Sequence, residues 1–163
     1  MVIERDLECI AEQERVLRFP SFNPETAWQL GALLRDFALQ QQLPVAIDVS
    51  LHSMPLFYAA MNGSSPDNAQ WIRRKRNTVL RLFRSSYAVG LRLAKQQTTL
   101  EEKLGLSVAD FAAHGGGFPI FIEDTGCIGA VTVSGLPQRD DHNLVVKALA
   151  KLLGKTVPQL VEP

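Results

Sequence analysis

The order of helix-forming and strand-forming segments predicts an α+β domain, with a central antiparallel sheet flanked by helices. Three observations carry this. Helical periodicity comes before a first strand pair, returns between the pairs, and closes the chain after a second pair. Both pairs have connections too short for anything but an antiparallel hairpin. The regular strand–helix alternation that marks a wound parallel sheet is missing.

Each element has its own signal. Residues 2–16 place Ile3, Leu7, Ile10 and Leu17 at helical steps, and Phe19-Pro20-Ser21-Phe22-Asn23-Pro24 breaks the pattern. Asn23 suits an N-cap and Pro24 the first helical position, so a second helix begins there. Its stripe is Ala27, Leu30, Leu34, Phe37 and Ala38, ending before Pro44. Val45–Val49 reads as a strand with Pro55–Met61 as its hairpin partner. After the loop Asn62–Ser65, a helix runs from about Pro66 to Phe83. Ser85–Gln96 is again helical, and Thr98–Asp110 mixes turn with short helix. Phe118–Glu123, the turn Asp124-Thr125-Gly126 and Cys127–Ser134 form a second hairpin. A last helix opens at Asp140-Asp141 and carries Leu144, Val145, Ala148, Leu149 and Leu152. No repeat or linker divides residues 1–163, which implies a single domain.

Composition narrows the class. The chain has 163 residues, 46% hydrophobic and 21% charged, enough for one sizeable core and too apolar for disorder. No apolar run approaches the ~20 residues needed to cross a bilayer, so no membrane association is expected. The start MVIERDLECI is acidic where a signal peptide would be basic and then apolar. Cys9 and Cys127 make neither a disulfide framework nor a zinc site. A cytoplasmic protein is the expectation.

Formal net charge is zero, but unevenly spread. Residues 1–70 hold 4 Lys+Arg and 9 Asp+Glu (−5), residues 71–95 hold 8 Lys+Arg and no acid (+8), and residues 96–163 hold 5 and 8 (−3). Bulk charge therefore gives no case for nucleic acid as a partner, while a local anion site stays open.

Within the basic segment, helical phase puts Lys75 and Arg76 on the apolar side, and Arg74 and Arg81 toward solvent. An inward cation needs an acid such as Asp48, a bound anion, or a snorkelling path along the helix edge. The run His114-Gly115-Gly116-Gly117 before a strand allows close backbone approach and could form an anion-binding concavity of N–H groups, or serve only a strained turn into the strand. Ser134-Gly135 leads into Asp140-Asp141-His142, where capping is the simplest role for an aspartate and His142 sits in a first helical turn, at the surface or titrating near neutrality. His52 and His114 share no metal-ligand spacing, and neither a Walker nor a dinucleotide pattern occurs. No serine lies in a nucleophile elbow. Cys127 reads as a small hydrophobe and Cys9 lacks a neighbour that would activate it.

GGGFPI, a hairpin ending GAVTVSG, and an acid-started helix together resemble the haem-degrading superfamily typified by the HbpS and GlcG proteins. Lys75-Arg76-Asn77-Thr78-Val79 is similar to its Lys-Ala-x-Thr-Ala helix, matching at Lys75 and Thr78, although RRKRN departs from the small-residue context. AEQERVLRF, LFYAAMNGSSPDNAQWIRRKRN, SSYAVGLRLA and TVSGLPQRDDH resemble a branch of small bacterial and fungal haem-degrading-domain proteins, over nearly the whole chain. The resemblance implies a profilin-like fold and a homo-oligomer. The leading expectation for function is binding of a small anionic molecule, a carboxylate or phosphate. The expected site is Lys75, Arg76, His114, Gly115, Gly116, Gly117, Ser134, Asp140 and His142. The alternatives are haem, with propionates on Lys75 or Arg76 and His114 or His142 at the iron, and an oligomeric interaction protein using Trp71 or Phe57. No catalytic residue and no metal site is assigned.

Overall fold

A computed structural model describes residues 1–163. The first helix, α1 (Val2–Val16), leads into a two-residue strand, β1 (Arg18–Phe19). Helix α2 (Pro24–Gln41) starts as expected. The Asn23 side chain accepts from Thr26 N at 3.0 Å, and Asn23 N donates to Thr26 Oγ1 at 3.2 Å, a reciprocal cap. The hairpin β2 (Ala46–Leu51) and β3 (Met54–Ala60) follows, with His52 in the left-handed region at φ 52° in its turn. Helix α3 (Pro66–Leu82) begins at a Ser65/Asn68 capping box, and α4 (Ser86–Lys95) at the Ser85 hydroxyl, which accepts from Ala88 N. Short α5 (Leu100–Leu104) precedes the hairpin β4 (Gly117–Ile122) and β5 (Gly126–Ser134), and α6 (Gln138–Leu153) closes the fold.

The five strands form one sheet in the order β1-β4-β5-β2-β3. The α+β architecture is as predicted, but the sheet is mixed: β1 lies parallel to β4, with Arg18 opposite Phe121. Two residues carry no period of their own. Their pairing depends on Leu17 and Phe19 being buried, which brings the end of α1 beside β4.

Strand alternation gives the sheet two unlike faces. Ile47 and Val49 of β2, Val131 and Val133 of β5, and Phe118 and Ile120 of β4 meet Leu30, Leu34 and Phe37 of α2 and Leu144, Val145, Ala148 and Leu149 of α6. Fully burying each such side chain contributes about 1.5–3 kcal/mol, and this layer is the main core. The intervening residues, Asp48, Ser50, Thr132 and Ser134, are buried on the opposite face, beneath α3. A smaller apolar cluster, Ile10, Tyr87, Ala88 and Leu160, ties α1 to α4 and the C-terminal segment. No helix is long and apolar enough to cross a membrane.

Candidate ligand-binding cleft

The polar face of the sheet requires α3 to bring polar partners, and it does. Lys75, 3% exposed, reaches across β5: its Nζ donates to Asp141 Oδ2 and to the Val133 carbonyl, both at 3.1 Å. Asp141 also accepts from Leu136 N at 3.0 Å and Gly135 N at 3.3 Å. It therefore organises the loop leading into α6 instead of capping the helix, the role expected from sequence. Burial pushes the Lys75 ammonium down and the Asp141 carboxyl up; the mutual contact and the two backbone donors oppose both. One residue further along α3, Arg76 pairs with buried Asp48 at 3.3 Å, and Ser50 Oγ donates to the same carboxylate oxygen at 2.8 Å. Burial raises Asp48, which Ser50 and Arg76 counter.

Beside the Lys75–Asp141 pair lies a cleft of about 280 Å3. Asp67 and Asn68 in the first turn of α3, and Gln138 in the first turn of α6, contribute to its lining, so two helix N-termini border one depression. Lys75, Ser134, Gly135 and Asp141 are also part of the lining, with Trp71, His114 and Leu136. The His114 side chain is exposed at the cleft and meets Trp71 edge-on, with ring centroids 5.0 Å apart. Burial lowers its pKa, with the Lys75 and Arg74 charges acting in the same direction, so the imidazole is neutral at pH 7. Ser134 Oγ accepts from Asn68 Nδ2 at 3.3 Å.

The structure brings Lys75, His114 and Ser134 together and separates the other expected residues. Arg76 is committed to Asp48, outside the cleft lining. Asp140 is exposed and borders a different depression, near Gln41 and Asn143. His142 is neither at the surface nor titrating near neutrality. It is 1% exposed and packed between Tyr87 and Phe118, with Nε2 2.8 Å from Gln13 Oε1. Burial lowers its pKa to about 3. The glycine run is not an open array of donors: Gly115 N–H is taken by Gln138 Oε1 at 3.1 Å and Gly117 N–H by Ser86 Oγ at 2.9 Å. Close packing explains the residue type. At Gly116 (φ 133°) a Cβ would sit 2.2 Å from the Val133 carbonyl oxygen. Arg81 is exposed as expected, but Arg74 lies over Trp71 at 4.5 Å and donates to the Val108 carbonyl. Phe57, expected as an interface residue, is buried.

Sequence reasoning missed Asp67, Asn68 and Gln138, and misread Asp141. The Ser65-Pro66-Asp67-Asn68 helix start was a usable signal for the first two; nothing local marks Gln138. No three His, Cys, Asp or Glu side chains converge to hold a metal ion.

Together these features define a single α+β domain with a two-faced, helix-flanked sheet and a polar cleft at one end of α3. The chain belongs to the HbpS-like haem-degrading protein family, whose family model matches residues 22–150. It is 62% identical over 160 residues to a UPF0303 protein of Sinorhizobium medicae, covering 98% of each chain. Among solved structures, Ybr137w matches with a TM-score of 0.85 and 33% identity, over 91% of this chain and 87% of that one. PduOC in complex with haem matches with a TM-score of 0.65 and 20% identity, over 80% and 92%, a likeness of fold.

Proposed function

We propose that the protein is a cytoplasmic, oligomeric binding protein that takes a small molecule bearing a carboxylate or phosphate group in the α3–α6 cleft. The observation that carries this is the pair of helix N-termini bordering one depression beside the Lys75 ammonium. Helix N-termini attract anions through their free N–H groups and dipoles. Because Asp141 already matches Lys75, and Asp67 adds a second carboxylate to the lining, the cleft suits a monoanion better than a doubly charged phosphate. Of the two groups, carboxylate is favoured. Trp71 offers an apolar surface for the body of the ligand, and the neutral His114, Gln138 and Ser134 offer hydrogen bonds.

A thermal-shift panel of small carboxylates and phosphate esters tests this. A ligand at a hundred times its Kd stabilises by about 2.7 kcal/mol, roughly 5–11 °C in Tm for a chain of this size. The shift is expected for a monocarboxylate and is lost in His114→Ala and Trp71→Ala. A panel with no shift, or a shift unchanged in both variants, refutes the assignment.

Haem, the group in the family's description, fits the chain's residues poorly. His142 is enclosed by Gln13, Tyr87 and Phe118, the cleft has only Trp71 and Leu136 as apolar lining, and Lys75 and Arg76 each already hold a carboxylate. His114 is the one imidazole in the cleft lining. A haemin titration giving a Soret shift that His114→Ala abolishes would reverse the preference.

A further inference from the structure

The hairpin edge opposite β1 carries a surface the cleft does not use. β3 is the outermost strand of the sheet, and its seven residues, Met54–Ala60, include no charged side chain. Edge strands of this length are normally blunted by charge, covering elements or bulges, because their free N–H and C=O groups template further pairing. The bulge in the β2–β3 ladder, where Val49 faces Phe57 and Ser50 faces Pro55, leaves Leu56 as its extra residue and the stretch from Phe57 to Ala60 regular. Met61 N donates to Val45 O at 2.9 Å, so strict alternation turns the backbone groups of Phe57 and Ala59 toward β2. Those of Tyr58 and Ala60 then point away from the sheet.

The surface beside this edge is apolar where a monomer would be polar. Met54, Tyr58 and Trp28 are 51%, 50% and 60% exposed. Trp28 stands edge-on against Phe57, centroids 5.4 Å apart. With Ala32, Arg35 and Asp36 of α2 it borders a depression of about 480 Å3 whose other wall is β3. Arg35 and Asp36 are exposed and form no ion pair within the chain, although ten other pairs are made.

We infer that a second copy of this chain docks here, β3 pairing antiparallel with β3 of the other copy about a twofold axis at Tyr58. The inference rests on the oligomeric reading proposed above and gives it a surface. Two features select a second copy over an unrelated partner. Antiparallel pairing centred on Tyr58 sets Tyr58 opposite its own copy within the regular stretch, so its outward N–H and C=O match themselves. Adjacent unpaired charges of both signs on α2 are also self-complementary, since a twofold axis lets Arg35 of each copy face the Asp36 of the other. The two sheets become one of ten strands, and Trp28 is covered.

Light scattering on the purified chain, with circular dichroism to verify folding, tests this. The wild type is expected as a dimer or a multiple of one. Tyr58→Pro removes an outward N–H without touching the β2 ladder, and it should halve the molar mass. Trp28→Glu, at an exposed position that does not endanger the fold, should do the same. Arg35→Asp should raise the dimer dissociation constant at least about tenfold, and Arg35→Asp with Asp36→Arg should restore it. A wild-type oligomer whose mass survives in folded Trp28→Glu, or an Arg35→Asp effect that the double reversal does not repair, overturns this interface and leaves the oligomer standing. A wild type that is monomeric at every concentration overturns both.

Discussion

Acidification should destabilise this protein through His142. The neighbouring hydrogen bonds fix its tautomer. Gln13 Nε2 donates to the Pro158 carbonyl at 2.8 Å, which leaves Gln13 Oε1 as an acceptor 2.8 Å from His142 Nε2. The proton therefore sits on Nε2. Nδ1 is buried with no partner. A second proton there would be unsolvated, unpaired and near the Arg139 guanidinium, which accounts for a pKa lowered to about 3. A histidine whose folded pKa lies below its unfolded value contributes stability that is complete above about pH 6.5. That stability is lost as pH falls toward the folded value, because the unfolded chain takes the proton first. At about 1.36 kcal/mol per unit, the loss is about 2 kcal/mol at pH 5 and about 4 kcal/mol near pH 3. Urea unfolding between about pH 7.5 and pH 5 measures it, with His142→Asn as the comparison. The variant starts less stable but should lack this part of the pH dependence. Equal losses in the two proteins over that range would refute the assignment of His142 as a neutral core residue, as would an imidazole titration with a midpoint above about pH 5.

Further outcomes follow from other contacts. Asp141→Asn leaves Lys75 buried without its counter-charge and should cost about 3–5 kcal/mol, roughly 6–20 °C in Tm; the double variant Lys75→Met/Asp141→Asn should recover part of it. A calorimetric scan showing Asp141→Asn within about 1 °C of wild type would mean the pair is not a structural tie. Gly116→Ala should prevent soluble expression or lower Tm sharply. The added methyl meets a backbone carbonyl at 2.2 Å, at a residue whose φ is positive. Gly126→Ala serves as its control: φ is also positive, at 127°, but nothing lies within 4 Å. Only the conformational cost remains there.

Segments with strong local chemistry were readable from sequence. The Asn23-Pro24 start of α2, the two hairpins, and the inward phase of Lys75 and Arg76 all follow from residue type and period, and each is present. Features that depend on distant partners were not readable. β1 has no signal because its two residues pair with a strand a hundred positions away. His142 looked like an exposed first-turn residue because the groups that enclose it, Gln13, Tyr87 and Phe118, come from three other elements. Asp141 resembled a helix cap because the chain says nothing local about Lys75, 66 residues earlier. The glycine run suggested an anion cradle because its need for close approach to Val133 and Gln138 is tertiary.

The two unlike faces of the sheet bear on how this lineage could change. The wall shared with α2 and α6 is close-packed hydrocarbon, where altered volume is penalised at almost every position. The wall beneath α3 is held by a few directional pairs, Lys75 with Asp141 and Arg76 with Asp48, and it borders the cleft. Substitutions around those pairs can reshape the cleft without disturbing the hydrocarbon layer. A protein built this way can retain its architecture at 20% identity.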